Sequence, residues 1–289
     1  MQSHHTLESA YLTVIVKSDG AELCSLRDAA GQELLWQAGP EWPHHAPNLF
    51  PIVGALKGKE YRYNGRAYPM ERHGFARQKR FAWLQRTPTR CRLVLHDDGQ
   101  TRAQYPFAFR FEVAYALDDD ALEIVFSIIN TGKGVLPASV GAHPAFIWPL
   151  AEGVDKSDHT LEFSEPEPAP IRRIDADGLL LAEPRPTPIT DRILSLDPGL
   201  FTADAVILDQ LASNSVRYSA PGAPTIEMSW DGFSSLGIWQ KQGADFLCLE
   251  PWHGHASPAG FDGDFLAKPG LMLIPPGEKR VLTHRIRIC

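Results

Sequence analysis

The sequence predicts an all-β protein, an antiparallel β-sandwich assembled from many short strands. Three observations carry that reading. Helix-period patterns are scarce, whereas short apolar runs with two-residue alternation recur along the chain. Turn formers are plentiful, with 24 prolines and 23 glycines among 289 residues. The same style persists from end to end, so a single domain over residues 1–289 is expected.

Taken in order, Tyr11–Val16 and Ala21–Leu26 are short runs joined by the turn sequence Ser18-Asp-Gly20. Arg92–His96 follows, ahead of Asp97-Asp-Gly99. Phe109–Tyr115 alternates apolar with polar residues, and Asp118-Asp-Asp120 links it to Leu122–Ile128. That is the clearest hairpin in the chain. Ser215–Tyr218 and Thr225–Met228 flank Pro221-Gly222 as another two-strand unit. Leu236–Trp239 and Phe246–Leu249 come next, and the tail is expected to pair Leu271–Ile274 with Val281–Ile286 across Pro275–Lys279. The proline-rich stretch from Glu165 to Pro188 is too broken for a regular element and is expected as a surface excursion.

Composition narrows the function. A net charge of -7 with scattered Lys and Arg argues against a nucleic-acid partner or a polybasic membrane patch. No apolar run approaches the roughly 20 residues that span a bilayer. Met1-Gln-Ser-His-His-Thr6 lacks the basic and apolar regions of a secretion signal. Cys24, Cys91, Cys248 and Cys289 show no CxxC spacing, so free thiols are expected, with Cys91 and Cys248 in core strands. A cytoplasmic protein, monomer or homodimer, follows as the expectation.

Three segments set titratable groups among glycines and aromatics: Glu71-Arg-His73-Gly-Phe-Ala-Arg77, Ser139-Val-Gly-Ala-His143-Pro-Ala-Phe-Ile-Trp148, and Phe246-Leu-Cys-Leu-Glu250-Pro-Trp-His-Gly254. They are expected to meet in one pocket. Pro144 biases His143 toward extended backbone, and Gly141 and Ala142 leave room for a close approach. Glu250 closes an apolar run, where a carboxylate needs either an ionic partner or a chemical task. Burial there would raise its pKa and make it a better proton acceptor near neutrality. Arg77 offers a fork for hydroxyls or an anion. His253-Gly-His255 and His44-His45 are the motifs that suggest a metal, with Glu250 as a third ligand. They lack a second cluster at ligand spacing, so no metal is expected.

Together with Asn48-Leu-Phe-Pro51, these motifs, in their order, resemble the aldose 1-epimerase (galactose mutarotase-like) superfamily, closest to its LacX-like branch. The His73-Gly-Phe-Ala-Arg77 run is shared with hexose-6-phosphate mutarotases. The resemblance covers about residue 10 to the C-terminus. It implies one large twisted β-sandwich and an isomerase that interconverts the α and β anomers of an aldohexose, without cofactor or metal. By motif, Glu250 is the general base at the anomeric hydroxyl, His143 the general acid at the ring oxygen, and His73 a support for that oxygen or a neighbouring hydroxyl. Arg77, Asn48, Lys57, Asp204 and Trp252 are the implied sugar contacts. Lys57 falls near a position where relatives often place a sugar-contacting arginine, and Asp204 is slightly preferred over Asp209. Trp148, Trp239 and Trp252 offer apolar faces, core packing being expected of at least two of them. Two alternatives stay open, a hexose-6-phosphate 1-epimerase and a non-catalytic carbohydrate-binding protein with the same pocket.

Overall fold

The computed structural model describes residues 3–289. Strands dominate it, and one α-helix of six residues, Gly99–Gln104, interrupts them. That helix begins where the sequence reads Asp97-Asp-Gly99, because the Asp98 side chain and Thr101 form a reciprocal capping box.

Two antiparallel sheets form the body of the sandwich. The larger has nine strands, in the order Ile193–Ser195, Thr160–Phe163, Ser215–Ser219, Ile226–Asp231, Lys279–Ile288, Ala121–Asn130, Phe109–Asp118, Arg90–His96 and Ala82–Arg86. At its centre, Phe109–Asp118 pairs with Ala121–Asn130 in unbroken register from Asp118↔Ala121 to Phe109↔Asn130. Asp119, with φ 51°, turns the chain between them. Side chains along Phe109–Asp118 alternate between buried and half-buried, so one face enters the core. Phe109, Phe111, Val113 and Tyr115 carry that face, opposite Phe126 and Ile128.

The second sheet runs Val206–Leu208, Ser235–Trp239, Phe246–His253, Val140–Ala142 and Asn48–Leu49, with Ala145–Ile147 also paired to Phe246–His253. The strand Phe246–His253 is buried along nearly its whole length, on both faces. Leu247 and Leu249 face the main core. Phe246, Cys248, Glu250 and Trp252 alternate onto the opposite face, where Phe246 and Cys248 belong to one small apolar cluster and Trp252 to another. That second face is where the cavity forms.

Two expectations change here. Met272–Ile274 and Lys279–Ile288 do not pair with each other. The first joins Leu136–Ala138, and the second is inserted between Ala121–Asn130 and Ile226–Asp231. Both gain longer-range partners on opposite sides of the Pro275–Lys279 turn. The proline-rich excursion is not merely a surface loop either. Isolated bridges Arg172↔Ile207 and Leu180↔Pro258 draw it across the second sheet, where Ile174 and Gly178 become cavity wall. No helix among the described residues is long and apolar enough to cross a membrane.

Candidate active site

The geometry around Glu250 follows from strand register. Gly141, in Val140–Ala142, faces Trp252, and Ala145, in Ala145–Ile147, faces Cys248 of the same strand, Phe246–His253. Between those two pairs the strand breaks at His143-Pro144, and the continuing register sets His143 opposite Glu250. On the other flank Glu250 faces Gly237, whose missing side chain leaves room for the indole of Trp252. The imidazole Nε2 and the carboxylate Oε2 come within 3.1 Å. Both residues line a cavity of about 140 Å³, with His73, Arg72, Arg77, Asp204, Trp42, Trp239 and Trp252 among its walls.

Burial sets the protonation of the pair. Glu250 is 1% exposed and His143 is 6% exposed. Loss of water, with Asp204 adding repulsion, pushes the Glu250 carboxyl well above the usual carboxylate range. Loss of water also lowers His143, to about 3. The pair therefore favours one proton held on the carboxyl beside a neutral imidazole. Despite the 3.1 Å approach, Glu250 Oε2 makes no well-aligned hydrogen bond among the described residues, and neither does His143 Nδ1. Unpaired buried polar groups of this kind call for a polar ligand.

His73 reaches the cavity from a sharp turn. Its φ is 68°, a left-handed backbone that side chains other than glycine rarely adopt. Gly74 follows because a Cβ there would lie 2.3 Å from Phe50 O. The backbone N–H of Gly54 donates to His73 Nδ1 at 3.2 Å, which leaves the proton of the neutral ring on Nε2. Burial and the neighbouring His143 hold His73 well below its ordinary pKa, so it stays neutral. Its ring meets His143 edge to face at 5.5 Å. Arg77 donates to Arg72 O at 3.0 Å, which fixes the guanidinium at the wall.

Asp204 also lies in the wall, with φ 61° and its Oδ1 accepting from Ala205 N at 2.7 Å. Asp209 instead pairs with Arg172 at 3.1 Å. Trp252 and Trp239 line the cavity, whereas Trp148 is fully buried and donates to Lys156 O. Trp148 and Trp252 both pack in the core, as expected of at least two of the three, and Trp252 serves the cavity wall as well. Trp42, which the sequence reading passed over, stacks on His143 with centroids 5.0 Å apart and planes inclined by 27°. Its only sequence signal is the aromatic and histidine run Trp42-Pro-His-His45 in an otherwise structureless stretch.

Two expected sugar contacts fall elsewhere. Asn48 points away from the cavity, and its amide donates to Gly20 O and Ala21 O at 3.0 and 2.8 Å, tying down the first hairpin turn. Lys57 opens a short 3₁₀ turn, exposed, beside a separate cavity lined by Tyr61, Arg62 and Asp262. Neither imidazole of the His253-Gly-His255 motif faces Glu250's cavity. His253 Nδ1 contacts Gly232 O and His255 Nδ1 contacts Ala256 O.

The chain is thus an antiparallel β-sandwich with a buried imidazole–carboxyl pair at one cavity. The aldose 1-epimerase family model matches residues 3–266, and the chain belongs to that family. It is similar to the plasmid and chromosomal LacX proteins of Lactococcus lactis subsp. lactis, at 35% identity over 98% of this chain and 98% of theirs. Among solved structures, a galactose mutarotase related enzyme from Lactobacillus acidophilus superposes with a TM-score of 0.92 at 32% identity, covering 99% of this chain and 97% of that one. A galactose mutarotase-like protein from Lactobacillus casei gives 0.93 at 26% identity, covering 99% and 100%.

Proposed function

We propose that this chain interconverts the α and β anomers of an aldohexose by acid–base opening and closing of the pyranose ring. The observation that carries the reading is the 3.1 Å approach of His143 Nε2 and Glu250 Oε2 in the cavity wall. Ring opening removes a proton from the anomeric hydroxyl and delivers one to the ring oxygen. In this reading Glu250 accepts the first and His143 donates the second. The pair thus begins as carboxylate and imidazolium and ends as carboxyl and neutral imidazole. The starting form is reached from the resting carboxyl and neutral imidazole by moving one proton from Glu250 to His143 across the 3.1 Å gap, and opening restores the resting form. Rotation about C1–C2 and closure on the other carbonyl face run the two transfers backwards. His73, with its proton on Nε2, is a neutral donor for the ring oxygen or an adjacent hydroxyl. Asp204 and Arg77 are suited to the remaining hydroxyls, and Trp252 and Trp239 to the apolar face of the sugar.

Arg72 and Arg77 in the same wall favour a second reading, a hexose 6-phosphate as substrate. Polarimetry on freshly dissolved α-D-glucose and α-D-galactose, beside a glucose 6-phosphate anomer assay, decides. A catalyst speeds relaxation to anomeric equilibrium at substoichiometric protein. A rate equal to the spontaneous one with all three sugars would leave a carbohydrate-binding protein and overturn the proposal.

A further inference from the structure

We propose that His143, Cys248 and Glu250 form a binding site for a zinc-like divalent cation whose occupation switches the acid–base pair off. Alternation along Phe246–His253 puts Cys248 and Glu250 on one face, and the register across the break at His143 sets the imidazole beside them. One ligating atom from each residue, nitrogen, sulfur and oxygen, lies within 4.8 Å of the other two, and all three residues are buried. Zinc takes this donor set at about 2.0–2.3 Å, which places tetrahedral ligand atoms about 3.3–3.6 Å apart. The His143–Glu250 edge is already 3.1 Å. The sulfur, within 4.8 Å of the other two atoms, must close by up to about 1 Å on binding.

A second observation points to a ligand. Glu250 Oε2, in a carboxyl that is 1% exposed, makes no well-aligned hydrogen bond, its 3.1 Å approach to His143 Nε2 included. His143 and Glu250 line the cavity whereas Cys248 lies behind them, so a cation enters from the sugar side. Three protein ligands then leave a fourth position for water from the cavity. Binding expels the thiol proton and the carboxyl proton to solvent, and the two anions balance the dication. The lone pairs that move protons in the sugar reaction are then held by the metal. Inhibition competes with sugar. The cation plays no part in the chemistry proposed above.

The test uses the full chain carrying Cys289→Ser, which removes the exposed thiol. Cd²⁺ is titrated while thiolate-to-metal charge-transfer absorbance is followed, and Zn²⁺ is added to the polarimetric assay. One equivalent of Cd²⁺ is expected to saturate the absorbance. Cys248→Ala and, as a second variant, Cys248→Ser are expected to abolish it. Each is expected to weaken Zn²⁺ inhibition at least about tenfold relative to that variant's own metal-free rate. Glu250→Gln, nearly isosteric, is expected to weaken Cd²⁺ binding as well. No absorbance in the parent, or absorbance that survives loss of the Cys248 thiol, overturns the site. Absorbance at Cys248 in a protein that does not speed mutarotation keeps the cation site and defeats the functional reading instead.

Discussion

Gly237→Ala adds one methyl beneath the indole of Trp252, and its effect can be worked from distances. A Cβ at position 237 would lie 2.4 Å from Trp252 Cη2, 2.5 Å from Cζ2 and 3.0 Å from Cζ3. Carbon atoms rest at about 3.5–4.0 Å, so the ring must move by roughly 1 Å or more. It has little freedom on its other side, where a Cβ at Gly141 would sit 2.5 Å from Cδ1. Gly237 lies in a strand outside the left-handed region, so alanine there costs no backbone strain and by itself favours the strand. Overpacking of this kind destabilises by about 1–3 kcal/mol. Trp252 is cavity wall and Gly237 faces Glu250. A shift of about 1 Å at that wall is expected to slow mutarotation by roughly 10- to 100-fold. Urea unfolding of Gly237→Ala, Trp252→Leu and the double variant isolates the clash. The shorter leucine makes room, so the cycle should show a coupling of at least about 1 kcal/mol. Additive energies, or a Gly237→Ala protein with unchanged midpoint and rate, would mean the indole does not lie across Gly237.

Three further outcomes are expected. His284 is buried between Phe126 and Phe233 with its pKa lowered to about 3 by loss of water. The unfolded chain therefore binds a proton that the folded one does not, and stability falls as pH drops from about 6.5 toward 3. By pH 5 the loss is about 2 kcal/mol, and His284→Leu should remove that much of the difference between denaturation at pH 7 and pH 5. Trp42→Ala strips the stacked face from His143 and should lower kcat/KM about tenfold, about 1.4 kcal/mol of transition-state stabilisation, with little change in urea midpoint. An unchanged kcat/KM would show that the stacking does not position the imidazole. Exhaustive chelation should leave the polarimetric rate undiminished, and a loss restored by added metal would require a metal in the reaction.

The hairpin centred on Asp118–Asp120 was legible because alternation and turn chemistry agree there over ten-residue strands. The choice between sheet neighbours was not, since partner strands are distant in sequence and nothing local near Pro275 specifies them. His143, Glu250 and His73 stood out because polar groups in apolar, glycine-flanked runs require a reason, and the structure gathers them into one cavity. Asn48 and Lys57 lie in short irregular segments, where no periodicity indicates which way a side chain points. Trp42 belongs to a loop whose path depends on Glu22, whose carboxylate accepts from His45 N and Ala46 N. No spacing in the sequence announces that anchor.

The most direct measurement is the polarimetric rate of Glu250→Gln and of His143→Asn on the preferred anomer, with folding checked by urea unfolding. Each substitution keeps a polar side chain of similar size and removes the titrating group. Each is expected to slow mutarotation by about 10²-fold or more while the protein stays folded. Folded variants that both relax the sugar at close to the parent rate would contradict proton transfer by this pair.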